Sequence, residues 1–407
     1  MTEGDAMYRE RSAPWAVLLV PALLTTVAYV DPGNFGSNIE AGSVHGYDLL
    51  WVVALASVAA GIIQYLAALL GLATGQTLAT LTAQRMGHRN RLLMWLQAEV
   101  VVLMTDLAEL VGGALGLYLL FGIPLPVGAC IVGVLSLLVL ATGRKAAAFS
   151  APLTLALLGV VGVCVLAVVA FLRPSPAGVA GGLVPGGLDA SGVLLVVAIV
   201  GATVMPHALY FHSAVSAHTG HRPSPERAAQ LRRRLGLAVA GALGVAACVN
   251  GSLLLIGAVL PTHGGIEGAH TAIAAAVGNV VAVLFGVALL ASGVASTVVG
   301  VFTGQVVMEG YIHRPFSVWL RRLVGLVPPL VVLALGVDPT WALVVSQVVL
   351  ALALPITLVP LVLLACSPRV MGPLLPGLPV RAAAVALVAL ITIMDAALVY
   401  LVLTGQA

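Results

Sequence analysis

The sequence predicts an all-α polytopic membrane protein of eleven spans, ten of them forming two inverted five-helix units with discontinuous helices 1 and 6. Three observations predict it. First, 61% of the 407 residues are hydrophobic and only 8% are charged, with mean hydropathy +1.13, where soluble domains are about one-quarter charged. Second, 17 of the 18 basic residues fall in alternate connections between apolar segments, the pattern left by retention of positive charge on the cytoplasmic side. Third, helix-breaking prolines interrupt the first and sixth segments, five spans apart and entered from opposite sides.

Stretches long enough to cross about 30 Å of hydrocarbon lie at 15–41, 48–73, 92–119, 125–142, 150–172, 190–217, 235–260, 274–310, 319–336, 340–366 and 382–404. The eighth is long enough to include an interfacial turn and to begin later than 274. Span 1 follows Arg9 and Arg11 but has no small-residue cleavage site, so it reads as a retained helix and not a signal peptide. Arg85, Arg89 and Arg91 follow span 2; Arg144 and Lys145 follow span 4; Arg222, Arg227, Arg232, Arg233 and Arg234 follow span 6. Arg314, Arg321 and Arg322 surround the junction of spans 8 and 9, and Arg369 and Arg381 follow span 10. Only Arg173 lies on the other side. This alternation puts the N-terminus in the cytoplasm and the C-terminus outside, in the plasma (inner) membrane. The chain divides into a cytoplasmic tail (1–14), a first unit (15–172), an irregular Pro/Gly-rich external loop (173–189), a second unit (190–366), and a loop with span 11 (367–407).

Composition also excludes functions. The basic residues sit in short loops and form no stripe, which sets nucleic acid aside. Cys130, Cys164, Cys248 and Cys366 lie within apolar spans without zinc-like spacing and read as small core residues. No H-E-x-x-H or G-x-S-x-G arrangement occurs, so an intramembrane hydrolase has no sequence support and the chain is not expected to be an enzyme. No prosthetic group and no obligate protein partner is expected.

Asp31, in Asp31-Pro32-Gly33-Asn34-Phe35, places a carboxylate inside span 1. A lone acid at bilayer depth costs on the order of 2.5–3.5 kcal/mol, so a functional partner is expected. Proline is tolerated at the first helical position, where its missing N–H has no partner to lose, so Pro32 and Pro206 each suit the start of a second half-helix. Asp31 then stands at an N-cap, and capping alone would explain it only at a water interface. The other reading makes Asp31 and Asn34 oxygen ligands, joined by carbonyls before each break, at Ala28 and Ala202. Met205 stands directly before Pro206 in the opposing break. Methionine is ordinarily packing material. As a ligand, its thioether suits Mn²⁺, Fe²⁺ and softer ions and not Ca²⁺ or Mg²⁺.

Span 3 carries Glu99, Asp106 and Glu109 along one stripe, and Arg321 and Arg322 at the inner start of span 9 are natural counter-charges, one of them within reach of Glu99. Such a group is either a static salt-bridge network or a proton relay. His207, two residues beyond Met205, has a side chain suited to proton exchange near neutrality, whereas His212 falls on a different face and ranks below it. Asp395, outside the repeat, reads as structural.

These residues resemble the natural resistance-associated macrophage protein (Nramp) family of proton-coupled divalent-metal transporters. Asp31-Pro32-Gly33-Asn34-Phe35 is similar to its helix 1 signature, and Met205-Pro206-His207 with Tyr210 and His212-Ser213 to its helix 6 signature. Ala295-Ser296-Thr297 with Gly304-Gln305-Val306-Val307-Met308-Glu309-Gly310 resembles the helix 8 motif, and Ser346-Gln347 with Leu354-Pro355 resembles helix 10. The resemblance implies the fold of sodium-coupled amino-acid symporters, with helices 1–5 and 6–10 as inverted repeats plus helix 11; the twelfth helix of some members has no counterpart in this sequence. It implies metal binding by Asp31, Asn34, Met205, Ala28 and Ala202, with Gln347 joining in some states. It also implies a proton pathway with His207, Asp106 and Glu109 near the metal, and Glu99 with Arg321 or Arg322 toward the cytoplasm. The expected function is import of Mn²⁺, also Fe²⁺ and similar ions, with protons, by alternating access. The alternative is a sodium-coupled symporter of an organic solute, which leaves Asp31 and Met205 without a task.

Overall fold

An apolar segment in lipid has to satisfy its own backbone hydrogen bonds, which leaves helices for a chain with this pattern. The protein is described by a computed structural model covering residues 15–141, 146–186, 190–218, 225–260, 264–312 and 317–405. The tail 1–14, and with it Arg9 and Arg11, lies outside the described residues, as do Arg144, Lys145, Arg222 and Arg314. Helices account for the structure, and no strand occurs among the described residues.

In chain order the first unit contains α1 (Trp15–Thr26), α2 (Pro32–His45), α3 (Leu50–Thr74), α4 (Leu78–Ala83), α5 (His88–Phe121), α6 (Leu125–Ala141) and α7 (Ala146–Leu172). After α8 (Pro176–Gly182), the second unit contains α9 (Ala190–Thr203), α10 (Pro206–His218), α11 (Pro225–Val259), α12 (Gly265–Val277), α13 (Asn279–Ile312), α14 (Val318–Ala334) and α15 (Pro339–Ala365). A short α16 (Pro368–Met371) leads to α17 (Leu378–Leu403). Eight single spans and the bent pair α1–α2 are long and apolar enough to cross a bilayer among the described residues. With α6 and α14, 17 residues each, they make the eleven. That length is at the short end of a crossing helix, and α14 carries Arg321 and Arg322 near its start.

One boundary is sharpened and one expectation corrected. The eighth span begins later than 274, as its length allowed: Gly278, at φ +99°, separates α12 from α13, and α13 starts at Asn279. The external loop is not irregular throughout, because Pro176–Gly182 is helical. Ser175 accepts the Gly178 N–H through its side chain and Pro176 occupies the first turn, a start signal that overrides the surrounding glycines. Positions 187–189 lie outside the described residues.

Where the helices sit follows from which faces are apolar and small. α5 runs through the interior, with Val101, Leu110, Val111, Ala114 and Leu115 buried and α13, α15, α6 and α14 packed around it. α17 is outermost and turns Leu390, Ile393, Val399 and Leu403 outward, as a lipid-facing helix does. α2 and α11 cross where each contributes a glycine. A Cβ on Gly42 would overlap the Leu254 carbonyl, and one on Gly257 would overlap the Ile39 carbonyl. These obstacles are backbone, so a side chain there has to pry the helices apart. Gly257→Leu is therefore expected to destabilise the protein by about 1–3 kcal/mol, read as a lower melting temperature in detergent. An unchanged melting temperature would show the crossing to be loose.

Candidate ion site and proton network

The first break is built by local chemistry. After α1 the chain tightens into a 3₁₀ turn, Val27–Val30, and bends by 51° into α2. Asp31, extended at φ −83° and ψ 169°, caps α2, with Pro32 in its first turn. The carbonyls of the turn are held by other helices: Asn250 of α11 donates to Tyr29 O at 2.9 Å and Ser292 of α13 to Val30 O at 2.6 Å. The second break is at Val204–Met205, and Pro206 starts α10. It bends less, and Gly192–Ala217 still passes as one span.

Asn34 ties the breaks together. Its Nδ2 donates to Asp31 Oδ1 and to Ala202 O, both at 2.9 Å, and its backbone N–H also donates to Asp31 Oδ1 at 2.9 Å. One Asp31 oxygen is thereby used, while Asp31 Oδ2 and Asn34 Oδ1 are buried without a hydrogen-bond partner. Gln347 of α15 lies against the first turn of α2: a Cβ on Gly33 would overlap its carboxamide. Its Nε2 donates to Ser346 Oγ at 3.0 Å and its Oε1 is likewise buried and unpartnered. Met205, Ala28 and Ala202 are fully buried. Buried polar atoms normally find partners, so three orphan oxygens, two on the first break and one on the helix against it, make this place a candidate cation site. Among the described residues no group of three or more His, Cys, Asp and Glu side chains is placed to hold a metal ion.

Beside the first break the Tyr29 hydroxyl donates to Gln64 Oε1 of α3 at 3.0 Å. Asp31 itself is 1% exposed, so its carboxylate is shut off from solvent in this conformation.

The acids of α5 lead away from the ion site toward α14. Arg321 Nε pairs with Glu99 Oε2 at 3.3 Å, and Trp95 Nε1 donates to Glu99 Oε1 at 3.1 Å. Arg322 pairs with Asp106 and donates through Nε to Ser136 Oγ of α6 at 2.8 Å. The two adjacent arginines thus take different acids. Glu109 is fully buried with neither carboxylate oxygen hydrogen-bonded; neighbouring Thr297 spends its hydroxyl on Gly293 O at 2.7 Å. A cavity of about 20 Å³ beside them is lined mainly by Val132, Leu135, Val294 and Val298, with Ser136 and Thr297 the polar members of its wall. His207 Nδ1 lies 3.2 Å from Thr105 Oγ1, next to Asp106 in sequence, so α10 meets α5 at the middle of the three acids. His212 is fully buried with no partner for either ring nitrogen.

Residues 22–401 match the family described as natural resistance-associated macrophage protein-like. The chain belongs to that family. Nramp proteins are membrane transporters, not enzymes. The divalent metal cation transporter MntH of Mycobacterium tuberculosis (H37Rv) is 44% identical over 365 residues, 87% of this chain and 84% of that protein. The MntH of Mycobacterium leprae is 41% identical over 411 residues, 99% and 96% of the two chains. The Eremococcus coleocola manganese transporter, solved with an aromatic bis-isothiourea substituted compound, superposes with a TM-score of 0.82 at 31% identity, covering 95% of this chain and 87% of that one. Mhp1, a nucleobase-cation-symport-1 family transporter in a closed conformation, gives 0.62 at 17% identity over 96% of this Nramp chain and 94% of its own. At that identity the likeness is one of fold, the inverted repeat with discontinuous helices.

Sequence reasoning missed Ser136, Thr105, Tyr29–Gln64, Asn250 and Ser292. Each is a single hydroxyl or amide inside an apolar helix, and its partner lies tens to hundreds of residues away.

Proposed function

We propose that this protein carries divalent transition-metal ions, Mn²⁺ foremost and Fe²⁺ and similar ions with it, into the cell together with protons, by alternating access. The observation that carries it is the pair of orphan oxygens, Asp31 Oδ2 and Asn34 Oδ1, buried at a junction that Asn34 makes with the break containing Met205. Relatives described as divalent metal cation transporters and as a manganese transporter support the same cargo. Asp31, Asn34, Met205 and the Ala28 and Ala202 carbonyls bind the ion, and Gln347 completes the shell as α15 and α2 shift. Desolvating a dication requires a fixed negative charge and several oxygens; the sulfur then sorts softer ions from alkaline earths.

Protons take the other branch, from His207, Asp106 and Glu109 to Glu99 with Arg321 and Arg322, and reach the cytoplasm without crossing the ion's path. Because Asp31 is closed off from solvent here, transport needs the site to open first to one side and then to the other, with one bundle rocking about the breaks. The basic connections support an inner-membrane location with the N-terminus in the cytoplasm and the C-terminus outside. An organic solute driven by sodium would leave the Met205 thioether and the Asp31 carboxylate unexplained.

The test is simultaneous measurement of metal and proton flux in proteoliposomes. Mn²⁺ added outside is expected to enter saturably and to acidify the lumen, with Fe²⁺ competing and Na⁺ without effect. Sodium-dependent uptake, or Mn²⁺ entry without acidification, would remove proton coupling from the reading.

A further inference from the structure

We propose that three glycines, Gly304 and Gly300 on α13 and Gly325 on α14, are positioning residues for proton transfer, each leaving the space in which one buried or half-buried charged group sits. This rests on the proton-coupled reading above. A glycine inside a helix is destabilising relative to alanine, so three of them along the acid–arginine network call for a reason. Gly300 and Gly304 are four apart, on one face of α13.

What a Cβ would meet at each position supplies the reason. At Gly304 it would overlap the guanidinium of Arg321, the partner of Glu99. At Gly300 it would stand 2.8 and 2.9 Å from Glu109 Oε1 and Oε2. At Gly325 it would stand 2.5 Å from Asp106 Oδ2, on the acid that pairs with Arg322. All three obstacles are the far ends of side chains. Gly293, one α13 turn pair earlier, differs: its Cβ would meet Gly113 backbone N and Cα at 2.9 Å, a contact between helices. An alanine at Gly293 has to separate α5 from α13, whereas an alanine at Gly304 pushes a flexible guanidinium off its place. The seats therefore determine where the charges rest and leave the helix packing alone. Glu109 makes the point most plainly, since no hydrogen bond fixes its carboxylate.

The deciding substitution is Gly304→Ala in the full-length protein, reconstituted in liposomes. Metal-driven acidification and the maximal rate of Mn²⁺ uptake are expected to fall roughly 3- to 30-fold, the range seen for residues that couple two sites, with the Mn²⁺ KM unchanged. In an Arg321→Ala background the same substitution is expected to do nothing further, because the group it displaces is gone. Gly159→Ala on α7, where a Cβ meets nothing within 4 Å, serves as the control for helix effects. Gly300→Ala and Gly325→Ala repeat the test on Glu109 and Asp106, with melting temperature confirming that each variant folds. Wild-type acidification in Gly304→Ala would overturn the proposal, as would an undiminished effect after Arg321 is removed or a KM change equal to the rate change. Absence of acidification in the unaltered protein would sink proton coupling itself, and the seats' role with it, before any substitution is compared.

Discussion

Asp31→Ala and Asp31→Asn are both expected to reduce Mn²⁺ uptake to about 1% or less, and only the alanine variant to lose stability. Asp31 does two jobs that these substitutions separate. Its Oδ1 caps α2 by accepting the Asn34 backbone N–H at 2.9 Å. Its Oδ2 has no partner, and in the proposed transport reading it is the acidic oxygen offered to the ion. Alanine removes both, and losing a cap costs about 1 kcal/mol. Asparagine is as good a cap as aspartate and can still accept that N–H, but it brings no charge. A dication leaving water for a buried site then meets only neutral dipoles. Residues merely supporting a metal's ligands cost about 10- to 100-fold when altered, so the charged ligand belongs at or beyond the top of that range. Radiolabelled Mn²⁺ uptake beside melting curves in detergent reads both effects. If asparagine keeps a tenth or more of the uptake, Asp31 is a helix cap and the charge requirement lies elsewhere.

Both breaks could be placed from sequence because the cost that marks them is local. A carboxylate beside Pro32 and a sulfur beside Pro206 are anomalous within a few residues of apolar chain, whatever surrounds them. The same holds for the eleven spans and the acid stripe on α5. Local signals left the start of α13 open, because the apolar pattern continues through Gly278 and the break there depends on a positive φ. They failed at α8, where Ser175 and Pro176 are a legible start but glycine content dominated. The partition of the two arginines was out of reach for another reason. Arg321–Glu99 and Arg322–Asp106 join residues 222 and 216 apart, and which adjacent arginine meets which acid depends on how α14 rotates against α5 and α6. Ser136 on α6 takes the Arg322 Nε and so helps set that rotation, though in sequence it is one hydroxyl in an apolar span.

Met205→Ala is expected to keep Mn²⁺ uptake while letting Ca²⁺ and Mg²⁺ inhibit it at roughly tenfold lower concentration, a shift of about 1.4 kcal/mol in relative affinity. Selectivity is a difference between two binding free energies, and a group can raise it by being a poor ligand for the competitor. Ca²⁺ and Mg²⁺ are hard and hold their water until oxygen replaces it, so a thioether facing them is a lost coordination position. For Mn²⁺ and Fe²⁺ the sulfur is a tolerable ligand and the loss is small. Met205 is fully buried at the second break, beside the Ala202 carbonyl that Asn34 holds. Truncating it opens space among the remaining oxygens, where a water can enter and complete a shell that suits the alkaline earths. Asn34 and Gln347 are held by hydrogen bonds to Asp31, the Ala202 carbonyl and Ser346, none of them through the Met205 side chain, so the substitution removes the sulfur and leaves those bonds in place. Competition curves for Ca²⁺ and Mg²⁺ against Mn²⁺ in proteoliposomes decide it. Unchanged curves would mean that discrimination comes from the oxygen geometry alone. A collapse of Mn²⁺ uptake comparable to that of Asp31→Asn would mean instead that sulfur binding is required for transport and not only for choosing the ion.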